Sequence, residues 1–172
     1  MDIGTLANLI NAIAVTAGVI FAAVQIREFR RQRKRQSMYA LVQTFQGIDF
    51  ARALHLIMEL PDNLDRAEMR RRVGPDGEGA IYFVVNVWET IGVLVFKKEL
   101  SLDLVDDFFS GPIVLTWRKL GPYLQEIRNE RKRETLFEWC QWLAEQMMQR
   151  EKSAAPVPAH ILHRDWGGSR RA

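Results

Sequence analysis

Apolar and polar positions fall into several regimes along this chain. The first has no helical period. From Ile3 to Ile26 no Asp, Glu, Lys or Arg interrupts a run of 24 residues. A bilayer core is about 30 Å thick and a helix rises about 1.5 Å per residue, so roughly 20 apolar residues span it. The run therefore predicts a membrane-spanning helix with slack for tilt. Its polar residues, Thr5, Asn8, Asn11, Thr16 and Gln25, are uncharged. A secretory signal peptide would carry cations before the apolar stretch. Here Asp2 precedes it and the cations follow.

The pattern then turns helical. Met38, Leu41, Phe45, Ile48, Ala51, Leu54 and Met58 recur every three or four residues, which marks one face of a helix. Nothing between Gln25 and Gln36 breaks a helix, so the anchor can run on as far as Glu59. Pro61 ends it, because the residue before a proline avoids the helical region. Asp62 or Asn63 is expected to cap a short helix through Val73. Gly74-Pro75-Asp76-Gly77-Glu78-Gly79 reads as a loop. Ala80–Phe96 is the most apolar stretch after the anchor, and its length predicts a buried central helix. A second span is the rival reading. Asn86 and Glu89 lie mid-segment and argue against it, since an acidic residue there costs about 2.5–3.5 kcal/mol on insertion scales.

Ser101 is placed to cap a helix over Leu102–Phe109. Gly111-Pro112 predicts a break, with a new helix over Pro112–Leu120, and Gly121-Pro122 predicts a kink. Arg128–Arg133 reads as a helix junction, and Glu134–Arg150 as an amphipathic helix. From Ser153 the pattern dies into an Ala/Pro linker and a tail expected to be disordered. The fold class that follows is all-α: an N-terminal transmembrane helix, then a cytoplasmic helical bundle of about five helices. The divisions are an anchor over 1–27, a basic segment over 28–36, a helical domain over 37–152 and a tail over 153–172.

Charge adds the topology. Arg27, Arg30, Arg31, Arg33, Lys34 and Arg35 follow the apolar run, with only Glu28 among them. Basic residues close to a span stay on the cytoplasmic side, so the N-terminus is expected outside and the rest in the cytoplasm. The cluster suits anionic headgroups, at around 1 kcal/mol per charge. The formal charge of +3 belongs to this segment. Without its six cations the 24 Lys and Arg become 18, and without Asp2 and Glu28 the 21 Asp and Glu become 19. The domain is close to neutral, which speaks against nucleic acid as a partner. Ala14, Gly18 and Ala22 recur every four residues, the small-residue spacing that lets two membrane helices approach and form a homodimer.

Chemistry-bearing residues are sparse. The single cysteine, Cys140, allows no internal disulfide and fits a reducing cytoplasm. The folded part holds one histidine, His55; a Cys140–His55 pair is the only candidate nucleophile and base, and Cys140 between Trp139 and Trp142 reads as buried. His160 and His163 with Asp165 sit in the tail, where metal ligation is not expected. No catalytic, metal-binding or cofactor-binding residue is assigned. Glu89 stands out, because a carboxylate in the most apolar helix needs partners. It is expected to tie the central helix to the Gly111–Gly121 helix, with Asn86, Trp117, Arg118 and the backbone N–H groups at Ile113–Leu115 as candidate members.

Trp88-Glu89-Thr90-Ile91-Gly92, Leu100-Ser101-Leu102-Asp103-Leu104-Val105, Gly111-Pro112-Ile113 and Trp117-Arg118-Lys119-Leu120-Gly121-Pro122-Tyr123 carry a resemblance in order and spacing. The chain resembles a bacterial family of small membrane-anchored proteins classed only as a domain of unknown function. That resemblance covers about residues 1–150. It implies one N-terminal span, a basic linker and an all-helical cytoplasmic domain at the inner (plasma) membrane, and it implies no activity. The function expected is that of an uncharacterised single-pass protein, a non-catalytic interaction or regulatory module that meets a cytoplasmic protein partner. The alternative is a self-assembling membrane effector that alters permeability.

Overall fold

The computed structural model describes residues 2, 4, 14–29, 32, 43, 45 and 47–166. The chain divides into two units, 1–47 and 48–172. All regular structure among the described residues is helical. In the first unit, residues 14–29 form α1. Val15, Val19, Ile20, Phe21, Val24, Ile26 and Phe29 are all exposed there. At 100° per residue these side chains point to every side of the helix, so α1 has no polar face. Apart from Asp2 and Gly4, the expected anchor before Ala14 lies outside the described residues, as do Arg30, Arg31, Arg33, Lys34 and Arg35.

The second unit holds α2 (Ile48–Glu59), α3 (Arg66–Phe96), α4 (Leu102–Arg131), α5 (Glu138–Ser153) and the short α6 (Ala159–Leu162). Gly47 is a bend, so α2 starts afresh there and is not the end of one helix running from the anchor. α3 packs against α2, α4 and α5, and α4 packs against α2 and α5. α3 is bent at Gly74 into two arms, so the four bundle helices comprise five helical segments. Trp88 sits at their centre, fully buried. Its ring meets Phe50 of α2 edge-on at 5.7 Å and Phe109 of α4 at 6.0 Å. Its indole N–H donates to Thr116 Oγ1 at 3.3 Å, and that hydroxyl donates to the Pro112 carbonyl at 2.7 Å. One side chain thus joins three helices through apolar contact and a satisfied donor.

Among the described residues α3 is the one helix long and apolar enough to cross a membrane. Its apolar residues Ile81, Val84, Val85, Trp88 and Ile91 are fully buried in the bundle, so it serves here as the core helix. The start of α3 departs from expectation. Asp65 is the cap, accepting from the Glu68 N–H at 2.8 Å; Asn63 takes a left-handed turn at φ 60. The expected loop over Gly74–Gly79 is helical. Only Gly74 leaves the helix, at φ 63 and ψ −176, and Pro75 then opens the second arm. A proline fits a first helical turn because its missing N–H would have no partner there. Gly77 is buried, and a Cβ on it would crowd Val73 and come within 3.4 Å of Leu56 of α2.

Gly111-Pro112 and Gly121-Pro122 also fail to break the chain, because α4 runs through both. The physical reason is local. A proline clashes with the Cβ of the residue before it, and glycine has none. Each proline leaves the carbonyl four residues back without its helical partner, and those residues, Phe108 and Arg118, are exposed. Ser101 stands at the N-cap of α4 as expected but makes no side-chain cap bond. The junction expected over Arg128–Arg133 falls later, over 132–137, because α4 continues through Arg131, and α5 begins at Glu138 rather than Glu134.

Gly74→Ala tests the bend. A Cβ at Gly74 would meet nothing within 4 Å, so the cost is purely conformational. Denaturant unfolding should show a loss of about 1–3 kcal/mol for G74A with no change in helix content.

Candidate functional site

The N-terminus of α5 is where the bundle concentrates its buried polar chemistry. The first four N–H groups of a helix have no partner inside it. At α5 the capping residue is Phe137, left-handed at φ 58, with no side chain able to accept. The acceptor comes from α3. Glu89 Oε2 receives the Cys140 N–H at 2.7 Å, and the neighbouring Trp139 N–H also favours the charged carboxylate. A carboxylate also suits the positive end of the helix dipole. Gly92, one turn further along α3, is what brings the two helices this close. A Cβ there would collide with the Trp139 carbonyl, its carbon lying 2.9 Å away.

Arg128 holds the other side of the same turn. It is 4% exposed. Its guanidinium donates to the Leu136 carbonyl at 2.7 Å, the Phe137 carbonyl at 3.1 Å, Gln125 Oε1 at 3.2 Å and Gln141 Oε1. It lies over the Trp117 ring, 5.9 Å from the centroid. The rigid fork of an arginine suits four acceptors around one centre, which a lysine cannot match. The left-handed Lys132, at φ 50, ends α4 and starts the chain around the guanidinium.

These charges feel each other without touching. Burial raises the Glu89 carboxyl above its ordinary value; the Cys140 and Trp139 N–H groups and Arg128 pull it back, and Glu138 adds to the rise. The Cys140 thiol is pushed up to about 12 by burial and by Glu89, against the pull of Arg128. A thiol so placed stays protonated and is a poor nucleophile. The Cys140–His55 pair does not form: Cys140 is buried in α5, His55 is exposed on α2, and the two helices share no contact. No group of three His, Cys, Asp or Glu among the described residues is arranged to hold a metal ion.

The Glu89 tie therefore exists with different partners from those expected. It reaches α5 and not α4. Asn86 is exposed, and its carbonyl accepts from the Thr90 hydroxyl at 2.9 Å. Arg118 pairs with Asp62 at 3.1 Å, beside Lys119 at 3.2 Å. Trp117 serves Arg128, and the N–H groups of Ile113–Leu115 lie inside the unbroken α4. Arg70 pairs with Glu78, and Arg71 and Arg72 pair with Glu68. Ala14, Gly18 and Ala22 all fall within α1, and Arg27 is exposed on it. Arg128 itself was concealed in a charged stretch. The signal was its position four residues after Leu124 and next to Ile127, on the apolar face.

The profile of DUF4760, a domain of unknown function, matches residues 12–147. The chain belongs to this family. No curated protein and no solved structure matches it. The matched span takes in Glu89, Gly92, Arg128 and Cys140 and stops short of α6.

The clasp makes two testable statements. Glu89→Leu leaves the Cys140 N–H without its acceptor, and equilibrium unfolding should show a loss of about 1–3 kcal/mol. Glu89→Gln keeps an acceptor and should cost far less. The native carboxyl binds its proton above the ordinary 4.5, so the folded state holds more protons than the unfolded one just above that pH. Stability contributed by this group therefore rises as pH falls through that window, and E89Q should abolish the slope. Gly92→Ala should push α5 off α3 and cost about 1–3 kcal/mol, read by thermal unfolding.

Proposed function

We propose that this DUF4760 chain is a single-pass protein of a bacterial inner membrane. In this reading Ile3–Ile26 crosses once with the N-terminus outside. Arg27, Arg30, Arg31, Arg33, Lys34 and Arg35 sit at the anionic headgroups of the cytoplasmic leaflet. The bundle from Ile48 onward is a non-catalytic interaction or regulatory module that captures a cytoplasmic protein at the membrane face. The observation that carries the reading is the abrupt change from an uncharged run to a dense cationic segment. The apolar surface of α1 on every side adds support, because water solvates such a helix poorly and lipid tails solvate it well. The non-catalytic part rests on the single histidine of the folded part and on a buried cysteine whose thiol is held protonated.

A second reading makes the anchor itself the effector. Ala14, Gly18 and Ala22 would pair with the same face of another copy, and the space around Gly18 leaves room for a neighbouring backbone. Overexpression that leaves conductance and growth unchanged would exclude it.

Cysteine accessibility in intact cells tests the topology. Single cysteines are placed at Asp2, at Glu78 and directly after Lys98 in a C140S background and exposed to an impermeant reagent. Reaction at the Asp2 site alone is the expected outcome. Reaction after Lys98 with Glu78 protected would make Ala80–Phe96 a second span and overturn the reading.

A further inference from the structure

The surface where α3 ends and α5 begins carries three touching aromatic rings. Phe96 closes α3 and is 59% exposed. Its ring lies 4.7 Å from that of Trp139 and 6.1 Å from that of Trp142, and the two indoles are 6.0 Å apart. Both indoles are half-buried. The buried Trp88 spends its N–H on Thr116, whereas neither indole of this cluster has an acceptor for its N–H among the described residues. Lys97 and Lys98 follow Phe96 directly and are exposed. Neither makes an ion pair among the described residues, while every arginine in the first arm of α3 does.

We propose that this patch is a lipid-docking surface of the bundle. An exposed phenyl ring and two half-buried indoles with free donors, beside unpaired ammonium groups, are the chemistry of a membrane interface. The rings enter the boundary between headgroups and acyl chains, the indole N–H groups meet lipid oxygens, and the lysines meet phosphates. The proposal rests on the reading of the chain as membrane-anchored. An anchor keeps the bundle near a bilayer, so a contact too weak to hold a free protein is made repeatedly. Glu99, Glu138 and Glu145 lie in the same stretches of chain, so the patch is not a basic field. The rings supply the attachment, and Lys97 and Lys98 select an anionic surface.

The test reconstitutes the full chain into phosphatidylcholine vesicles with and without phosphatidylglycerol. Flotation after an alkaline wash reads the anchor alone. Tryptophan quenching by a headgroup-nitroxide lipid reads the patch, and the difference from W139F/W142F isolates these indoles from Trp88, Trp117 and Trp166. Quenching of the pair in anionic vesicles is expected. K97E/K98E should lower the ratio of docked to undocked bundle by more than about tenfold, since each lysine near an anionic surface contributes on the order of fivefold. An unchanged thermal midpoint would show that K97E/K98E still folds. Equal quenching of the wild-type chain and W139F/W142F would overturn the proposal. So would fluorescence of the pair that shifts with the number of chains per vesicle while the nitroxide lipid leaves it unaffected, because the rings would then be meeting a second copy. Lost flotation with quenching retained would overturn the anchor and support the patch; loss of both would overturn both.

Discussion

The bundle depends on how the first turn of α5 is satisfied. That turn needs acceptors for its N–H groups, and its own capping residue is a phenylalanine with none to give. Glu89 supplies the acceptor from α3 and Arg128 gathers the carbonyls of the preceding turn from α4. A half-buried carboxylate or a buried guanidinium alone would be costly. Here each is surrounded by groups that the helix ends leave over, so the charges and the backbone solve each other's problem. Gly92 sets the distance at which this is feasible, and Trp88 fixes the rest of α3 against α2 and α4.

Helical period and the run of apolar residues in Ala80–Phe96 made the all-helical class and the central helix legible. Glu89 was legible as a tie because charge in that setting demands partners, although the structure leaves it half-buried. Its partners were not, because they are backbone groups exposed by a helix start, and a helix start depends on where the chain turns. The turn is governed by Arg128, which in sequence sits among ordinary surface cations. Punctuation residues misled for a similar reason. Each Gly-Pro step was read as a breaker, whereas glycine before proline removes the Cβ that a proline would strike. That pairing lets α4 pass through both Gly-Pro steps, and at Gly74-Pro75 the backbone turns once and resumes.

Part of the surface charge in the bundle is spent internally. The first arm of α3 binds its arginines to Glu68, Glu78 and Glu130, and Arg150 of α5 reaches Asp103 and Asp106 of α4. Such exposed pairs add little stability, on the order of 0–1 kcal/mol each. They do neutralise the domain locally, which leaves the cationic segment after the apolar run as the strongest single-sign feature of the chain. The proposed placement at a membrane face therefore rests on a short stretch, and the bundle contributes shape and rings more than charge.

The cap of α5 also orders the folding of the bundle. Arg128 and the turn it organises are eight or nine residues apart, so α4, the turn and α5 can assemble as a local hairpin. Glu89 and Cys140 are 51 residues apart, and closing that contact waits until both helices exist. During synthesis α3 emerges with its carboxylate exposed and without the element that answers it. The hairpin made last is what completes the helix made earlier, so the bundle closes only when its final long helix has left the ribosome.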